Sequence, residues 1–498
     1  MDRSAARRLL AIALALGLLT DVLLDGPAPG LNVLIAVSAI LLAGWLLRPR
    51  GTAPDRLDAW LPVTAVVLAA FVAVRGDPFI AFVDLMAALV FTGAAVVAFS
   101  GIAVTRRSAS AIAMLGILTI EASTIGAVRV ARVAHVAPDL RLTRLPARFT
   151  PLLRGLAFAI PIALIFASLF ASADPIFRRG ASDLLGWRID LGDLSGRVLF
   201  VLACSWLAAG LLSVAANGIP AAARASLGAS AWTEPVVPTI RVGSTEAIVV
   251  LVVIDLVVGL FVALQVAYLF GGQDTLAAAG MSYSDYARRG FFELVAAVCL
   301  AGGVVVFLET TILQRSRAYL AALLALLALT AVVLVSAAFR LRLYQDAYGW
   351  TELRFYVLAT ILTLAAGLAL MTLLAIAARM HWLGHGLAVI AVVALIAANL
   401  VAPAAFVATR NVERVIDPSL VAPGGHTGLD ASYLGVLPDD AIPVLVAALP
   451  GLPPREAANV LALLRRERLT LAENPAYANP AAWNLGRERA RAALSTLP

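Results

Sequence analysis

The stretch AYLAALLALLALTAVVLVSAAF, residues 318–339, decides the fold class because it contains no charged side chain. An α-helix needs about 20 predominantly apolar residues to cross the hydrocarbon core of a bilayer. Similar apolar runs recur on both sides of this stretch, so we predict an all-α protein, a polytopic transmembrane helical bundle. The runs lie at about 9–25, 31–47, 59–74, 78–100, 110–130, 155–173, 196–216, 246–270, 291–313, 318–339, 353–378 and 384–402.

The composition of the whole chain agrees with a membrane protein. Of its 498 residues, 61% are hydrophobic and 14% are charged, whereas soluble domains are about half apolar and about a quarter charged. The arginines behind the net charge of +7 lie in short loops between apolar runs, as membrane topology requires. We therefore expect the lipid bilayer as the partner of this surface and no nucleic acid.

The arginines between the apolar runs also predict the orientation, because cytoplasmic loops are enriched in basic residues. From residue 154 onward, arginine-rich loops alternate with loops in which acids balance the arginines. We expect a multi-pass protein of the cell membrane with a cytoplasmic N-terminus. The predicted extracytoplasmic segments are 174–195, 272–290, 340–352 and the tail after residue 403.

The apolar run 110–130 determines whether the chain crosses the membrane about 11 or about 12 times. If it crosses, the arginine-rich N-terminus and the arginine-rich segment 141–154 fall on opposite faces, against the rule for basic residues. A re-entrant or interfacial helix would restore consistency and leave about 11 crossings. We favour that interpretation and keep the crossing helix as the alternative.

Three regions follow from these patterns. Residues 1–150 are expected to form about four or five transmembrane helices, and residues 151–403 a core of about seven. Residues 404–498 are punctuated by proline and contain arginine-rich amphipathic stretches such as REAANVLALLRRERL. This C-terminal part is too polar to span, so we predict a small soluble helical appendage on the extracytoplasmic side and regard it as the candidate surface for a protein partner.

The stretch YGWTELRFYVLAT, residues 348–360, concentrates polar side chains at the start of an apolar run. Thr351 is suited to cap the helix, and Glu352 suits its positive N-terminal end. Arg354 is unexplained, because its charge lies at the unfavourable end of the helix dipole. A polar substrate site on the outer face would explain it. The candidate substrate-binding residues on that face are Asp174, Tyr286, Arg289, Glu293, Asp346, Tyr348, Glu352 and Arg354.

Four polar residues lie deeper within the predicted spans, namely Asp84, Asp255, Gln265 and Glu309. An acid inside the membrane is costly unless it is paired or hydrated, and it indicates a proton or cation site. The alternative is a hydrogen bond between helices, or an arginine partner, that serves only packing. We find no zinc-binding or catalytic motif in the sequence, so we predict no metal and no cofactor, and the question of enzymatic activity stays open.

Several short motifs resemble a bacterial family of polytopic membrane proteins catalogued as domain of unknown function 4173, with a related family numbered 4153. The resemblance runs from about residue 155 to WNLGRERA at 483–490, and Trp350 departs from its pattern, which has leucine there. It implies an integral membrane protein with a C-terminal appendage, and it brings no activity or catalytic residues. The motifs are SADPIF (172–177), YLFGG (268–272), YSDYARRGFFEL (283–294), YGWTELRFY (348–356), RNVER (410–414) and LDASYLGVLPDDAIPVL (429–445).

The function that these patterns favour is recognition or transport of an ionic or envelope-related substrate through an outward-facing polar site. The clustered acids and arginines of the outer face support it, because such groups bind phosphate and other ionic head groups. Two alternatives remain open: a membrane-embedded enzyme acting on a lipid-linked envelope substrate, and a sensory or scaffold component of the cell envelope.

Overall fold

The computed structural model of the chain describes residues 2–24, 27–49, 51–105, 109–135, 193–218, 242–270, 291–421, 425 and 427–497. In this part of the chain the regular structure is helical, without a β-strand. Eight of the described helices are long and apolar enough to cross a membrane. These findings confirm the all-α polytopic bundle. The number of crossings stays a prediction, because the run 155–173 lies outside the described residues.

Consecutive helices among the first four run antiparallel, and the second, third and fourth pack around small and branched apolar side chains such as Leu68, Ala69 and Val96. The short connection before the fourth helix contains Asp77, whose side chain accepts the backbone N–H groups of Phe79 and Ile80 as an N-cap. The predicted spans match these helices closely. They are α1 (Arg3–Leu24), α2 (Leu31–Leu47), α3 (Trp60–Val74) and α4 (Pro78–Phe99).

Because these helices alternate in direction, the bundle has two ends. We name as the inner end the one that carries the start of α1 and the α2–α3 connection, and as the outer end the opposite one. The names follow the predicted orientation, with a cytoplasmic N-terminus.

The fifth helix, α5 (Ala109–Val133), has both of its termini at the inner end. Before it, the backbone N–H groups of Val104 and Thr105 donate to the carboxylate of Asp58 in the α2–α3 connection. After it, the carbonyl of Ala134 accepts a 3.4 Å bond from Nε of Arg7 near the start of α1. Whether this helix is re-entrant, interfacial or a crossing helix stays a prediction.

The next helices are α6 (Asp193–Asn217), α7 (Ser244–Phe270) and α8 (Phe291–Thr311). The helix α6 packs closely on α1, and Nη2 of Arg197 forms a 2.6 Å ion pair with Oδ2 of Asp21. Asp21 lies near the end of α1, so α6 begins at the outer end of the bundle.

Three further helices complete the described bundle: α9 (Arg317–Tyr348), α10 (Glu352–Ile376) and α11 (Leu383–Val401). The helix α9 extends beyond the predicted run 318–339. Residues 340–348, which belong to a predicted extracytoplasmic segment, continue it. Arg340 and Gln345 are buried in this extension. Packing against the C-terminal part of the chain therefore outweighs the polarity of the segment.

The C-terminal part folds as a helical unit around its own apolar core, which includes Leu445, Leu464 and Leu494. It packs against the outer end of the bundle, where Leu31 N donates to Trp483 O over 2.9 Å and Ala28 N donates to Ala476 O over 3.0 Å. We call this part the C-terminal unit. Its helices are α12 (Pro403–Ile416), α13 (Ala431–Leu434), α14 (Ile442–Ala448), α15 (Pro454–Glu473) and α16 (Leu485–Ser495).

Candidate functional site

The turn between α9 and α10 is held from both sides. Gly349, with φ of 77°, ends α9 in a left-handed conformation that favours glycine. Thr351 Oγ1 accepts the backbone N–H of Arg354, which confirms the predicted helix cap. The side chain of Asn411 in α12 bonds both backbone groups of Trp350, each over 2.8 Å. A motif of the C-terminal unit therefore fixes the turn at the outer end of the bundle.

Arg354 bends back toward the C-terminal end of α9. Its Nη1 donates to the carbonyls of Tyr348 and Gly349, and its guanidinium lies 4.0 Å from the ring centre of Tyr344. Its charge is unfavourable at the start of α10 and favourable at the carbonyl end of α9. The described contacts of Arg354 are therefore all with neutral groups.

Arg414 reinforces the same helix end from α12. Its guanidinium donates to the carbonyls of Gln345, Asp346 and Ala347, the shortest bond being 2.8 Å to Asp346. Burial lowers the pKa of Arg414 from its usual value, and the charge of Asp346 opposes that effect. Two guanidinium groups thus converge on one helix end from two different elements.

An open cleft of about 310 Å³ lies beside these two arginines. Among the described lining residues the one acid is Asp430, whose carboxylate accepts the N–H of Tyr433 and the hydroxyl of Ser432. With two arginines against one aspartate, the lining favours an anion. The cleft is lined by Tyr348, Gly349, Trp350, Thr351, Arg354, Asn411, Arg414, Gly428, Leu429, Asp430, Tyr433 and Leu434.

A cluster of acids lies next to the cleft and deeper in the molecule. Asp77, which is 1% exposed, accepts a 2.9 Å hydrogen bond from the hydroxyl of Tyr356. The carboxyl group of Glu352 lies within hydrogen-bonding reach of Asp77, and its Oε1 is buried without a partner among the described residues. The backbone N–H of Glu352 donates to Oη of Tyr433 over 2.8 Å. Glu352 therefore faces another acid rather than the arginine two residues after it.

The C-terminal unit covers this cluster on its outer side. Asp440 Oδ2 accepts the N–H of Gly76 over 3.0 Å, and Asn484 donates to the carbonyls of Val72 and Arg75 at the end of α3. Burial raises the pKa of the Asp440 carboxyl, and the positive charge of Arg75 opposes that effect. The connection between α3 and α4 is therefore covered by side chains from two parts of the C-terminal unit.

The two intramembrane acids Asp84 and Glu309 have opposite surroundings. Glu309 Oε2 pairs with Nη2 of Arg315, and its Oε1 accepts a 2.9 Å bond from the hydroxyl of Tyr319. Asp84 is fully buried, and its Oδ1 accepts a 2.9 Å bond from Nδ2 of Asn399 in α11. Glu309 thus has a cation as its partner, and the described contact of Asp84 is an amide.

The family model described as domain of unknown function DUF4153 matches residues 63–448. The chain belongs to the DUF4153 family. It is the related family named above, so the closer resemblance to family 4173 stays a prediction. No curated protein and no solved structure matches the chain.

The family match covers the arginines of the cleft and the acids beneath it in this DUF4153 protein. Asn484, which holds the end of α3, lies beyond the matched range. The family description assigns no activity, so it supports an integral membrane protein without naming a substrate.

The structure brings only part of the predicted site together. Tyr348 and Arg354 line the cleft, and Glu352 lies beside it in the acidic cluster. The backbone carbonyl of Asp346 accepts a hydrogen bond from Arg414, and Asp346 is exposed. Arg354, which the helix start left unexplained, donates to the carbonyl of Gly349 at the end of α9.

Several predicted site residues cannot be placed. Asp174, Tyr286 and Arg289 lie outside the described residues, and Glu293 and Gln265 are described only as positions within α8 and α7. Asp255 lies in α7, and its Oδ1 has no hydrogen-bond partner among the described residues. Within the described part of the chain, no group of three or more acids, histidines or cysteines is arranged to hold a metal ion.

Sequence reasoning missed Asp77, Tyr356, Asn411, Arg414 and Tyr433. A signal existed for Asp77, because an aspartate before proline at the start of an apolar run is a common N-cap pattern. Asn411 and Arg414 both occur in the RNVER motif, and Tyr433 occurs in the long motif at 429–445. These motifs carried the family resemblance, but nothing local in them shows that they meet the turn at Gly349.

Proposed function

We propose that this membrane protein recognises an anionic substrate in the cleft beside Arg354 and Arg414, as a step in binding or transport. The observation that carries the proposal is the convergence of two guanidinium groups held by backbone carbonyls. Such a group is fixed in direction and keeps its positive charge, so it attracts a phosphate or carboxylate that lies beside it.

The size of the cleft limits the substrate. A volume of about 310 Å³ lies at the lower end of the range for small-molecule sites, about 300–1,000 Å³. It therefore suits a single head group or small anion rather than a large molecule. The aromatic side chains of Tyr348, Trp350 and Tyr433 give the lining apolar surface beside the charges.

The orientation is part of the proposal. With a cytoplasmic N-terminus in the cell membrane, the cleft and the C-terminal unit face the extracytoplasmic side, where envelope lipids and their precursors present phosphate groups. The arginines that line the cleft act as hydrogen-bond donors, and they support binding more directly than chemical conversion.

Substitution of Arg354 tests the proposal. In purified full-length protein, we expect Arg354→Gln to weaken the binding of glycerol 3-phosphate by about tenfold or more, because a hydrogen bond to a charged group contributes about 1.5–3 kcal/mol. Isothermal titration calorimetry measures the affinity, with glycerol as the neutral probe. The matched control is Arg410→Gln, on the same helix as Arg414 but paired with Glu413 outside the cleft.

A second variant separates loss of binding from loss of folding, because Arg354 also caps α9. Leu429→Trp fills the cleft and leaves both arginines in the chain, so we expect it to weaken binding, and thermal unfolding of the variant checks that the fold is retained. Wild-type affinity in both variants, or no binding of the phosphate probe by the wild type, would refute the proposal.

A further inference from the structure

Asp84 and Asn399 face each other across the interface between α4 and α11, and both residues are 0% exposed. Nδ2 of Asn399 donates to Oδ1 of Asp84 over 2.9 Å and also to the carbonyl of Leu395 over 3.0 Å. Two oxygen atoms of the pair have no hydrogen-bond partner among the described residues, namely Oδ2 of Asp84 and Oδ1 of Asn399. Buried polar atoms are nearly always hydrogen-bonded, so both require an explanation.

A single proton satisfies both atoms. A carboxylic acid and a carboxamide pair through two hydrogen bonds, one from the amide N–H to the carbonyl oxygen of the acid and one from the acid O–H to the amide oxygen. The first of these bonds is present, and the two unsatisfied oxygens are those that the second bond would join. An ionised Asp84 would leave the amide oxygen unpaired and bury a charge.

The charges around Asp84 do not replace this proton. The positive charge of Arg75 and the negative charge of Asp77 both reach Asp84 and oppose each other, and Tyr356 of α10 also interacts with it. The helix α2 carries no ionisable residue. In α6, Arg197 is paired with Asp21.

We infer that Asp84 and Asn399 form a proton-binding site inside the membrane, in which the proton sits on Oδ2 of Asp84 and is donated to Oδ1 of Asn399. The ligand is the proton, so the site is separate from the anion cleft. When the proton leaves, the bond to Asn399 Oδ1 is lost and an unpaired charge appears between α4 and α11. The protonation state therefore controls how firmly these two helices are joined.

The acidic cluster lies on the outer side of this pair. Asp77 caps α4 seven residues before Asp84, which places the two acids on one face and about 10 Å apart along the axis. Tyr356 donates to Asp77 and interacts electrostatically with Asp84. The proton site therefore lies about two helical turns further into the bundle than the acidic cluster.

Infrared spectroscopy of the full-length protein in lipid bilayers tests the site. At neutral pH, we expect the wild-type spectrum minus that of Asp84→Asn to contain the C=O band of one protonated carboxyl group. The control is Asp417→Asn, an exposed acid on the C-terminal unit, whose difference spectrum should lack that band at neutral pH. Carboxylate bands in place of the protonated band, with or without a response to sodium, would overturn the inference.

A second variant keeps the test decisive if Asp84→Asn does not fold. Asn399→Leu removes the amide that bonds both oxygens of Asp84, so the protonated C=O band should move to higher frequency. A spectrum of Asn399→Leu identical to that of the wild type in this region would also overturn the inference.

Discussion

Glu309 and Asp84 are both acids within apolar runs, and the sequence alone does not distinguish their surroundings. In the structure, Glu309 has a cationic partner and Asp84 has a neutral one. Glu309 lies near the inner end of α8, where Arg315 from the following connection and Tyr319 from α9 complete its contacts. Asp84 lies within α4 and meets a carboxamide of α11. The first acid is bound as an ion, and the second is bound in a way that suits a neutral group.

The difference shows that depth and sequence distance decide what an acid in a membrane helix can do. Arg315 follows Glu309 by six residues and reaches it from a short connection at the end of the bundle. Asn399 is 315 residues away from Asp84 in the sequence. An acid at a helix end has cations available to it, whereas an acid deeper in the bundle depends on neutral donors and on protons.

Among the substitutions that test this comparison, Glu309→Gln is expected to change the free energy of unfolding most. The substitution removes the charge that Arg315 faces, and the lost pair leaves a part-buried guanidinium without its acid. We expect a loss of about 2–4 kcal/mol in unfolding free energy, below the range for fully buried pairs because Arg315 is partly exposed. Thermal unfolding in detergent measures the change.

The exposed pair of Arg410 and Glu413 is the control for this prediction. Glu413→Gln should change stability by less than about 1 kcal/mol, because exposed ion pairs contribute little. Equal effects of Glu309→Gln and Glu413→Gln would mean that Glu309 is not held as a buried ion. The contrast between Glu309 and Asp84 would then fail.

The second effect concerns the closure of the outer end above Asp77 and Asp84. A Cβ atom on Gly486 would lie 2.4 Å from Oδ1 of Asp440 and 2.5 Å from the backbone N of Gly76. We expect Gly486→Ala to cost about 1–3 kcal/mol through overpacking and to loosen the C-terminal unit from the α3–α4 connection. Limited proteolysis and thermal unfolding follow both changes.

Gly93→Ala is the matched control, since nothing lies within 4 Å of the added atom. It should leave both measurements near those of the wild type. If Gly486→Ala behaves like this control, the outer end is not closed by the contact between Gly486 and Gly76.

The helices of this protein could be predicted from the sequence because bilayer thickness and apolar run length determine them. The predicted run 31–47 is the helix Leu31–Leu47, and 78–100 differs from Pro78–Phe99 by one residue. The run 318–339 ends nine residues before α9 does, because the polar segment 340–348 continues the helix. Arg414 from a distant helix binds the carbonyls there, and a local pattern carries no record of that partner.

The candidate site could be predicted only at the positions whose role is local. Thr351 was predicted as a helix cap because its partner is three residues away. The function of Arg354 depends on where the end of α9 lies in space, and the surroundings of Glu352 depend on Asp77, which belongs to another helix pair. Apolar periodicity does not specify which helices become neighbours, so these contacts could not be derived.

The third prediction concerns how the free energy of unfolding depends on pH through Asp439, an acid that is buried and also lies near an arginine. Burial raises the pKa of Asp439 to about 6, although the charge of Arg487, 3.7 Å away, opposes the rise. Since the folded state then binds the proton more tightly than the unfolded state, this group stabilises the fold at low pH. Its contribution, roughly 1–2 kcal/mol, is lost as pH rises from about 4 to about 6.

Asp439→Asn should flatten the pH dependence of unfolding in that interval, as measured by thermal unfolding at several pH values. At the exposed Asp417, hydrogen bonds from Ser419 hold the pKa of the carboxyl below its usual value. Asp417→Asn should therefore leave the interval between pH 4 and 6 unchanged. A wild-type profile that rises with pH across this interval would contradict the assignment.

The smallest effect is expected for Asp84→Asn, and it separates the two acids most clearly. An asparagine can accept the N–H of Asn399 and donate its own N–H to the amide oxygen, so it reproduces both bonds of a protonated aspartate without a charge. We expect a change below about 1 kcal/mol in unfolding free energy, within the range of substitutions that remove no interaction. Glu309→Gln is chemically the same change, and its larger cost in unfolding free energy would arise because Arg315 loses its acidic partner. If Asp84→Asn proves as costly as Glu309→Gln, Asp84 is bound as an ion, and the two acids differ in location alone.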